Sequence, residues 1–185
     1  MYTGGEIIRS DWVEQATFDH ILAALMPENR LALEVSMYTG LRIDDVLHLR
    51  TEQVRQGRFT VKEMKTGKRK RIRLPNALRD EILTHAGRFY AFEGRLDQKK
   101  PRTRQAVFKD LKRAQELFRV RGVHLSPHTA RKIYSVTAFK LTCSVSKVQS
   151  LLNHSSEAVT MLYAMADELT ARRLGVRPVY VPTLR

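Results

Sequence analysis

The sequence predicts a mainly α-helical domain with one small antiparallel β-sheet, an α+β fold, on three observations. Apolar residues recur at helical spacing through most of the 185 residues. Residues 58–75 instead alternate apolar and polar residues around a Thr-Gly turn, which is typical of a β-hairpin. Apolar residues make up 43% of the chain, which is enough for a hydrophobic core, and no internal repeat divides the sequence.

The region before the hairpin is predicted to contain three helices. Residues 11–25 and 29–39 each place apolar residues at helical spacing, and Pro27 separates the two segments. Gly40 ends the second helix, which is expected to be the more buried of the two. A short third helix is predicted over residues 42–50.

The hairpin itself is predicted from two strands, residues 58–63 and 69–75, joined by a turn that contains Thr66 and Gly67. The apolar side chains of the two strands are expected to share one face, which leaves a polar face that is strongly basic. Six cations are assigned to this stretch: Lys62, Lys65, Lys68, Lys70, Arg71 and Arg73.

The chain after the hairpin is predicted to return to helix, with a basic loop over residues 94–104 that lies within one domain. Ser126 and Pro127 predict a helix start, with Ser126 as the N-cap and Pro127 at the first helical position. The helices predicted here are residues 76–92, a segment carrying Val107, Leu111, Ala114 and Phe118, and residues 128–141, 144–152, 156–165 and 167–174.

The composition points to a polyanionic partner. Lys and Arg total 33 against 19 acids, a formal net charge of +14, and such an excess attracts nucleic acid. Cys143 is the single cysteine, so neither an intrachain disulfide nor a cysteine-based zinc site can form. Because the sequence shows neither a secretory signal nor an apolar run of membrane-spanning length, a cytoplasmic, nucleoid-associated protein without membrane contact is predicted.

Five residues stand where they could hold or attack a phosphate. Arg42 follows a glycine turn at a predicted helix start, which favours anion binding. His128 and Arg131 share one face of a predicted helix, and both can donate hydrogen bonds to phosphate oxygens. His154 follows the end of a helix, and Tyr163 lies nine positions later. Taken singly, these residues fit ordinary structural roles better: a surface ion pair for Arg42, a solvated helix face for His128 and Arg131, a helix cap for His154 and a core position for Tyr163.

Taken together, these residues resemble the sequence motifs of the tyrosine recombinases, also called the phage integrase family. The similarity runs from about residue 15 to residue 170. The motifs are TGLRIDDVLHLR with Arg42, EMKTGKRKRIRLP with Lys65, SPHTARKIYSVTAFK with His128 and Arg131, and LLNHSSEAVTMLYA with His154 and Tyr163. The resemblance implies the fold of that family's catalytic domain and six catalytic residues: Arg42, Lys65, His128, Arg131, His154 and Tyr163.

Several features depart from the family pattern. Asn153 stands where glycine is usual before the third-motif histidine, which puts the turn that aims this histidine in doubt. Some 40 residues precede Arg42, and they are expected to form the catalytic domain's own first helices and not the helical core-binding domain that commonly precedes it in the family. We therefore expect residues 1–185 to form a single catalytic domain, with a core over 1–175 and a tail over 176–185. The chain is either a short form, similar to the fimbrial phase-variation invertases, or a fragment.

The resemblance implies a transesterification that uses neither metal, cofactor nor ATP. Tyr163 would attack the scissile phosphorus, leaving a 3′-phosphotyrosyl link and a free 5′-hydroxyl. Arg42 and Arg131 would neutralise charge on the phosphate oxygens, and Lys65 would protonate the departing 5′-oxygen. His128 would assist removal of the tyrosine proton or hold a phosphate oxygen, while His154 would donate a hydrogen bond to the same phosphate.

Double-stranded DNA is the partner that this chemistry implies. The resemblance also implies a homo-oligomer on DNA, a tetramer in the synaptic complex, with the segment from Asp167 to Arg185 packed on a neighbouring protomer. Three alternatives stay open: a type IB topoisomerase-like nicking and religating enzyme, a DNA-binding module that has lost catalysis, and a metal-dependent nuclease. The side chains expected to follow the DNA backbone are Lys68, Arg69, Lys70, Arg71, Lys99, Lys100, Arg102 and Arg104.

Overall fold

The computed structural model describes residues 10–176 as ten α-helices and one two-stranded antiparallel sheet. The helices before the hairpin are α1 (Gln15–Leu22), α2 (Pro27–Thr39), α3 (Ile43–Leu47) and α4 (Thr51–Gln56). The strands are β1 (Arg58–Lys62) and β2 (Arg69–Arg73). The later helices are α5 (Asn76–His85), α6 (Arg104–Leu117), α7 (Pro127–Thr142), α8 (Val145–Leu152), α9 (Glu157–Ala164) and α10 (Ala166–Leu174). The mainly helical class with a small sheet is therefore confirmed.

Two apolar clusters hold the elements together. The larger cluster joins α1 to α6, the hairpin and the first half of α7, with Phe18, Leu33 and Phe92 fully buried in it. A smaller cluster lies between α7, α8 and α9, where Val148 and Leu152 are buried and Tyr163 packs against them. The helix that carries Tyr163 therefore packs on the smaller cluster and not on the main hydrophobic core.

The hairpin pairs as the alternation predicts. Phe59 lies opposite Ile72 and Val61 lies opposite Lys70, and these positions face inward. The alternate positions of both strands are exposed. Because side chains alternate with a period of two, Lys70 belongs to the inner face and not to the basic outer face predicted for it.

Three predicted helices differ from the structure by at least three residues at one end or more. The first begins at Gln15 and not at residue 11, because Asp11 is buried and its backbone N–H donates to the His124 carbonyl at 2.8 Å. The predicted helix over residues 42–50 ends at Leu47, and α4 follows it as an element that was not predicted. The predicted helix over residues 76–92 ends at His85.

Gly40 ends α2 in a conformation that only glycine suits here. Its φ is +69°, and a Cβ at this position would lie 2.5 Å from the ring of Tyr134. The close approach brings α2 and α7 together directly before Arg42.

The segment before α1 and the last described helix, α10, are tied to each other. Arg173 contacts both carboxylate oxygens of Asp11, at 3.1 and 2.5 Å. The backbone N–H of Trp12 donates to Thr170 Oγ1 at 3.0 Å. The part of the Asp167–Arg185 segment that the structure describes therefore packs on its own chain, and residues 177–185 lie outside the described residues. Between residues 10 and 176, every helix is too short or too polar to cross a membrane.

Candidate active site

Arg131 lies at the centre of the site. It is only 2% exposed, and its guanidinium donates to the Gly40 carbonyl, to the Leu152 carbonyl at 2.7 Å and toward His154 Nε2 at 3.1 Å. Burial and the nearby charge of Arg42 lower the pKa of Arg131 to about 10, which leaves it cationic at neutral pH. Two helix ends therefore hold this side chain in a fixed orientation.

Lys70 also connects the ends of α2 and α8, through the carbonyls that precede those contacted by Arg131. Its Nζ donates to the Thr39 carbonyl at 2.6 Å and to the Leu151 carbonyl at 2.5 Å. Burial, and then the charge of Arg131, lower the pKa of Lys70 to about 8. We call Lys70 and Arg131, with the four carbonyls that they contact, the cation bridge between α2 and α8.

His154 is buried beside Arg131, and its hydrogen bonds define its tautomer. The Thr160 hydroxyl donates to the Ser156 carbonyl at 3.0 Å, so the contact of 3.2 Å between Thr160 Oγ1 and His154 Nδ1 has the ring as donor. The proton of a neutral ring is then on Nδ1, and Nε2 accepts from Arg131. Burial and the charges of Arg131 and Arg42 lower the pKa of His154 to about 4.

Tyr163 presents its hydroxyl to His128. The Tyr163 hydroxyl oxygen lies 3.4 Å from His128 Nδ1, and the Tyr163 ring meets the His154 ring edge-on at 5.3 Å between centroids. Desolvation, followed by the charges of Arg104 and Arg131, lowers the pKa of His128, which favours the neutral ring that can accept a proton.

Arg42, whose charge contributes to the lowered pKa of Arg131, has a buried carboxylate as its partner. It is the N-cap residue of α3, and its Nη1 donates to Glu63 Oε2 at 2.5 Å. Glu63 also accepts from Asn153 Nδ2 at 2.8 Å and from Thr66 Oγ1 at 3.1 Å. Burial alone would raise the pKa of Glu63, but the Asn153 hydrogen bond and the arginine charges outweigh it, and the net shift is downward.

Lys65 lies in the turn of the hairpin and is exposed to solvent. Its charge is nevertheless close enough to contribute to the lowered pKa of His154. An exposed ammonium at the rim can reach a bound substrate without first leaving a buried partner.

The structure brings the six predicted residues to one side of the molecule. His128 contacts Tyr163, Tyr163 contacts His154, and His154 contacts Arg131. The charge of Arg42 lowers the pKa of Arg131, which connects Arg42 to the same group. Lys65 is at the edge of this group. Two guanidinium groups, two imidazoles and a phenol, with the ammonium of Lys65 at their edge, form an arrangement that can bind an anion and activate a hydroxyl.

The predicted DNA-contacting residues divide into two groups. Arg102 is buried, donates to Asn29 Oδ1 at 2.5 Å and lies 3.7 Å from Glu28, so its predicted place on the DNA surface is wrong. Lys70 likewise turns inward to the cation bridge. The six that remain exposed are Lys68, Arg69, Arg71, Lys99, Lys100 and Arg104.

The outer face of the hairpin carries directly opposed like charges. Arg58 pairs with Arg73, and Lys62 pairs with Arg69. Like charges directly opposite in a sheet are destabilising, and a bound polyanion would offset that cost.

Sequence reasoning missed Glu63 and the inward role of Lys70, although a signal existed for both. Glu63 shares the strand alternation of Phe59 and Val61, and Lys70 shares that of Ile72. A charged residue in register with an apolar face indicates either a buried charge or the end of the strand. In residues 10–176 no three His, Cys, Asp or Glu side chains are grouped so that they could hold a metal ion.

The fold is that of the catalytic domain of tyrosine recombinases. The chain is similar to the catalytic domain of bacteriophage HP1 integrase, with a TM-score of 0.61 and 16% identity over 92% of this chain and 97% of that one. It is also similar to the XerH site-specific recombinase bound to its difH substrate, with a TM-score of 0.65 and 17% identity over 84% of this chain. The chain spans 50% of the length of XerH.

Sequence comparison places the chain within that class. Residues 11–169 match the phage integrase family, and the chain belongs to it. A probable integrase/recombinase of Bacillus subtilis (strain 168), YoeC, is 29% identical over 139 residues, which are 72% of this chain and 75% of the relative.

Proposed function

We propose that this chain is a site-specific recombinase that cleaves and rejoins DNA strands through a covalent 3′-phosphotyrosyl intermediate at Tyr163. The observation that carries the proposal is the Tyr163 hydroxyl, which lies 3.4 Å from Nδ1 of His128, while the Tyr163 ring packs on His154, the partner of the buried Arg131. Family membership supports the reaction class. Residues 1–185 as a single catalytic domain remain a prediction.

The proposed reaction exchanges one phosphoester for another. The Tyr163 oxygen forms a bond to phosphorus as the bond from phosphorus to the 5′-oxygen breaks, and rejoining reverses both changes. The phenol has a reference pKa near 10, so its proton must leave as the oxygen attacks, and His128 accepts it. Lys65 supplies the proton that the departing 5′-oxygen takes up.

The reaction also requires that the negative charge on the non-bridging phosphate oxygens be neutralised. Arg42 and Arg131 would neutralise it, and each would stabilise the transition state by about 3 kcal/mol by analogy with oxyanion donors. The expected hydrogen bond from His154 to the phosphate needs a proton on Nε2, which here accepts from Arg131. We infer that His154 first orients Arg131, and that the single negative charge of the arriving phosphodiester favours a ring with a proton on Nε2.

The proposed substrate is double-stranded DNA, bound by the exposed cations of the hairpin together with Lys99, Lys100 and Arg104. The comparison structure of XerH holds its own difH substrate. By analogy we propose a homo-oligomer on DNA, a tetramer at synapsis, and a cytoplasmic, nucleoid-associated location. Exchange of strands between two sites on one DNA, and not relaxation alone, would distinguish recombination from topoisomerase activity.

The test uses a library of random-sequence duplexes with 5′-bridging phosphorothiolate linkages. The sulfur leaving group does not readily attack back, so a cleaved duplex stays attached to the protein. Adducts that survive denaturant are isolated, and sequencing of their DNA identifies the cleaved site. The wild-type chain should form adducts that peptide mapping assigns to Tyr163.

Tyr163→Phe is the matched variant, because it removes one oxygen and keeps the ring. It should bind the enriched duplex and form no adduct. An adduct that persists in this variant, or that maps to Tyr134 or Tyr180, would overturn the proposal. Absence of any adduct with the wild-type chain would do the same.

A further inference from the structure

Glu63 is a buried carboxylate that connects three separate segments of the site. It directly follows β1, and its side chain is 0% exposed. Its hydrogen-bond partners are Arg42 at the start of α3, Thr66 in the hairpin turn and Asn153 after α8. These contacts span residues up to 90 positions apart in the sequence.

Each partner of Glu63 is, or directly adjoins, a residue of the proposed reaction. Arg42 is one of the two phosphate-binding arginines. Thr66 is next to Lys65, and Asn153 is next to His154. A single carboxylate therefore touches the three segments that must align around one phosphate.

Asn153 gives Glu63 a specific role in the turn before His154. The backbone of Asn153 is left-handed, with φ 53° and ψ 31°, a conformation that costs a residue other than glycine about 1–2 kcal/mol. Its side-chain amide donates to Glu63 at 2.8 Å, which compensates for that cost and fixes the direction of the turn. Glycine would relieve the backbone cost but would supply no such hydrogen bond.

The charge of Glu63 is also required by its surroundings. Arg42, Lys70 and Arg131 are three cations whose charges act on this carboxylate or on one another. Without the Glu63 carboxylate these buried or half-buried cations would repel one another more strongly, because burial raises the pKa of Asp45, the other carboxylate whose charge acts on Arg42 and Arg131. Glu63 thus holds Arg42 in place before the substrate binds.

We propose that Glu63 is a positioning residue that aligns Arg42, the turn of Lys65 and the turn of His154 around the same phosphate. This role rests on the proposed function, and it is separate from direct contact with the substrate, because Glu63 has no exposed surface.

Glu63→Gln tests the role, since it keeps the shape and removes the charge. The readout is the single-turnover rate constant for adduct formation at saturating DNA, which does not depend on how much of the protein is folded. Misplacement of reacting groups by about 1 Å can cost about 100-fold, so we expect a loss of roughly 10- to 100-fold. The dissociation constant for the same duplex should stay unchanged or become smaller, because a negative charge near the phosphate is removed.

Asn153→Gly is the second variant, and Glu52→Gln is the control. Asn153→Gly keeps the left-handed turn and loses only the hydrogen bond to Glu63, so its rate constant should also fall. If Glu63 acts in part through Asn153, the double variant should lose less than the product of the two separate losses. Glu52 is an exposed glutamate on α4 whose side chain is 71% exposed, and its substitution should leave the rate constant unchanged.

The outcomes separate the two proposals. A wild-type rate constant in Glu63→Gln would overturn the role of Glu63 while the wild-type adduct at Tyr163 still supports the proposed function. Should Glu63→Gln fail to fold, a wild-type rate constant in Asn153→Gly would overturn it instead. No wild-type adduct at all would remove both.

Discussion

At the scale of single residues, His154 shows how the site sets a protonation state before any substrate is present. Its Nδ1 donates to Thr160 and its Nε2 accepts from Arg131, so both ring nitrogens are engaged with the ring neutral. A second proton would be placed directly against a buried guanidinium. The lowered pKa of about 4 follows from this geometry as well as from burial.

We expect His154 to make folding depend on pH. The unfolded ring has a pKa near 6.5 and the folded one about 4, so the unfolded chain binds more protons between these values. The free energy of unfolding should therefore fall as the pH drops from about 6.5 to about 4. Denaturant unfolding across this range should show a smaller fall in His154→Gln than in the wild type.

The control for this prediction is His85→Gln, which substitutes an exposed histidine at the end of α5. It should keep the wild-type pH dependence. Nuclear magnetic resonance of the ring nitrogens gives a second check. A proton on Nε2 at pH 7 in the free protein would contradict the tautomer.

At the scale of elements, the hairpin separates two kinds of cation by strand alternation alone. The outer positions carry Arg58, Lys62, Arg69, Arg71 and Arg73. The inner position of Lys70 leads to the cation bridge. One strand therefore serves both the DNA-facing surface and the inside of the site.

Arg69→Gln is expected to stabilise the fold and to weaken DNA binding. It removes a cation that lies directly opposite Lys62, so the free energy of unfolding should rise by about 0.2–1 kcal/mol. The slope of log affinity for duplex DNA against log salt should become shallower by about 0.9 for one lost phosphate contact. Salt titrations of binding and denaturant unfolding measure the two effects.

Arg102→Gln provides the contrast, because Arg102 belongs to the same basic stretch of sequence but is buried against Asn29. Its substitution should lower the free energy of unfolding by about 1–3 kcal/mol and leave the salt slope unchanged. This division of the basic residues would be contradicted if the salt slope became shallower in Arg102→Gln, or if it stayed unchanged in Arg69→Gln.

Most elements could be predicted from the sequence because apolar periodicity is a local property. The start of α7 at Ser126 and Pro127 was predicted at its observed position, and both strands of the hairpin were predicted to within two residues of their observed ends. The helix α4 has a single fully buried apolar residue, Val54, which is too little to produce a period. The burial of Arg102 depends on a partner 73 positions away, and nothing local distinguishes it from its exposed neighbours.

At the scale of the whole molecule, the two ends of the described chain hold each other. Asp11 and Arg173 are 162 positions apart, and this contact together with the bond to His124 prevents the helix that periodicity predicted from residue 11. Tertiary hydrogen bonds outweigh local propensity here. Because α10 follows α9 after one residue, these contacts also fix the helix of Tyr163.

Asp11→Asn should therefore destabilise the fold. Asp11 is 5% exposed and accepts charged hydrogen bonds from Arg173, so the free energy of unfolding should fall by about 1–3 kcal/mol. Glu168→Gln, which weakens an exposed pair with Arg172 at 4.0 Å, should change it by less than about 0.5 kcal/mol. Equal effects in the two variants, measured by denaturant unfolding, would count against a structural role for the Asp11 contact.

Because of the cation bridge, the Arg131 side chain loses its conformational entropy when the protein folds and not when DNA binds. Its guanidinium donates to the Gly40 and Leu152 carbonyls, and these hydrogen bonds restrict its rotamers once the chain has folded. Immobilising a side chain of this kind costs about 0.5–1.5 kcal/mol of conformational entropy, and that cost is met during folding. A duplex that docks on the protein meets a rigid receptor at this position, and its affinity is not reduced by the need to order that arginine.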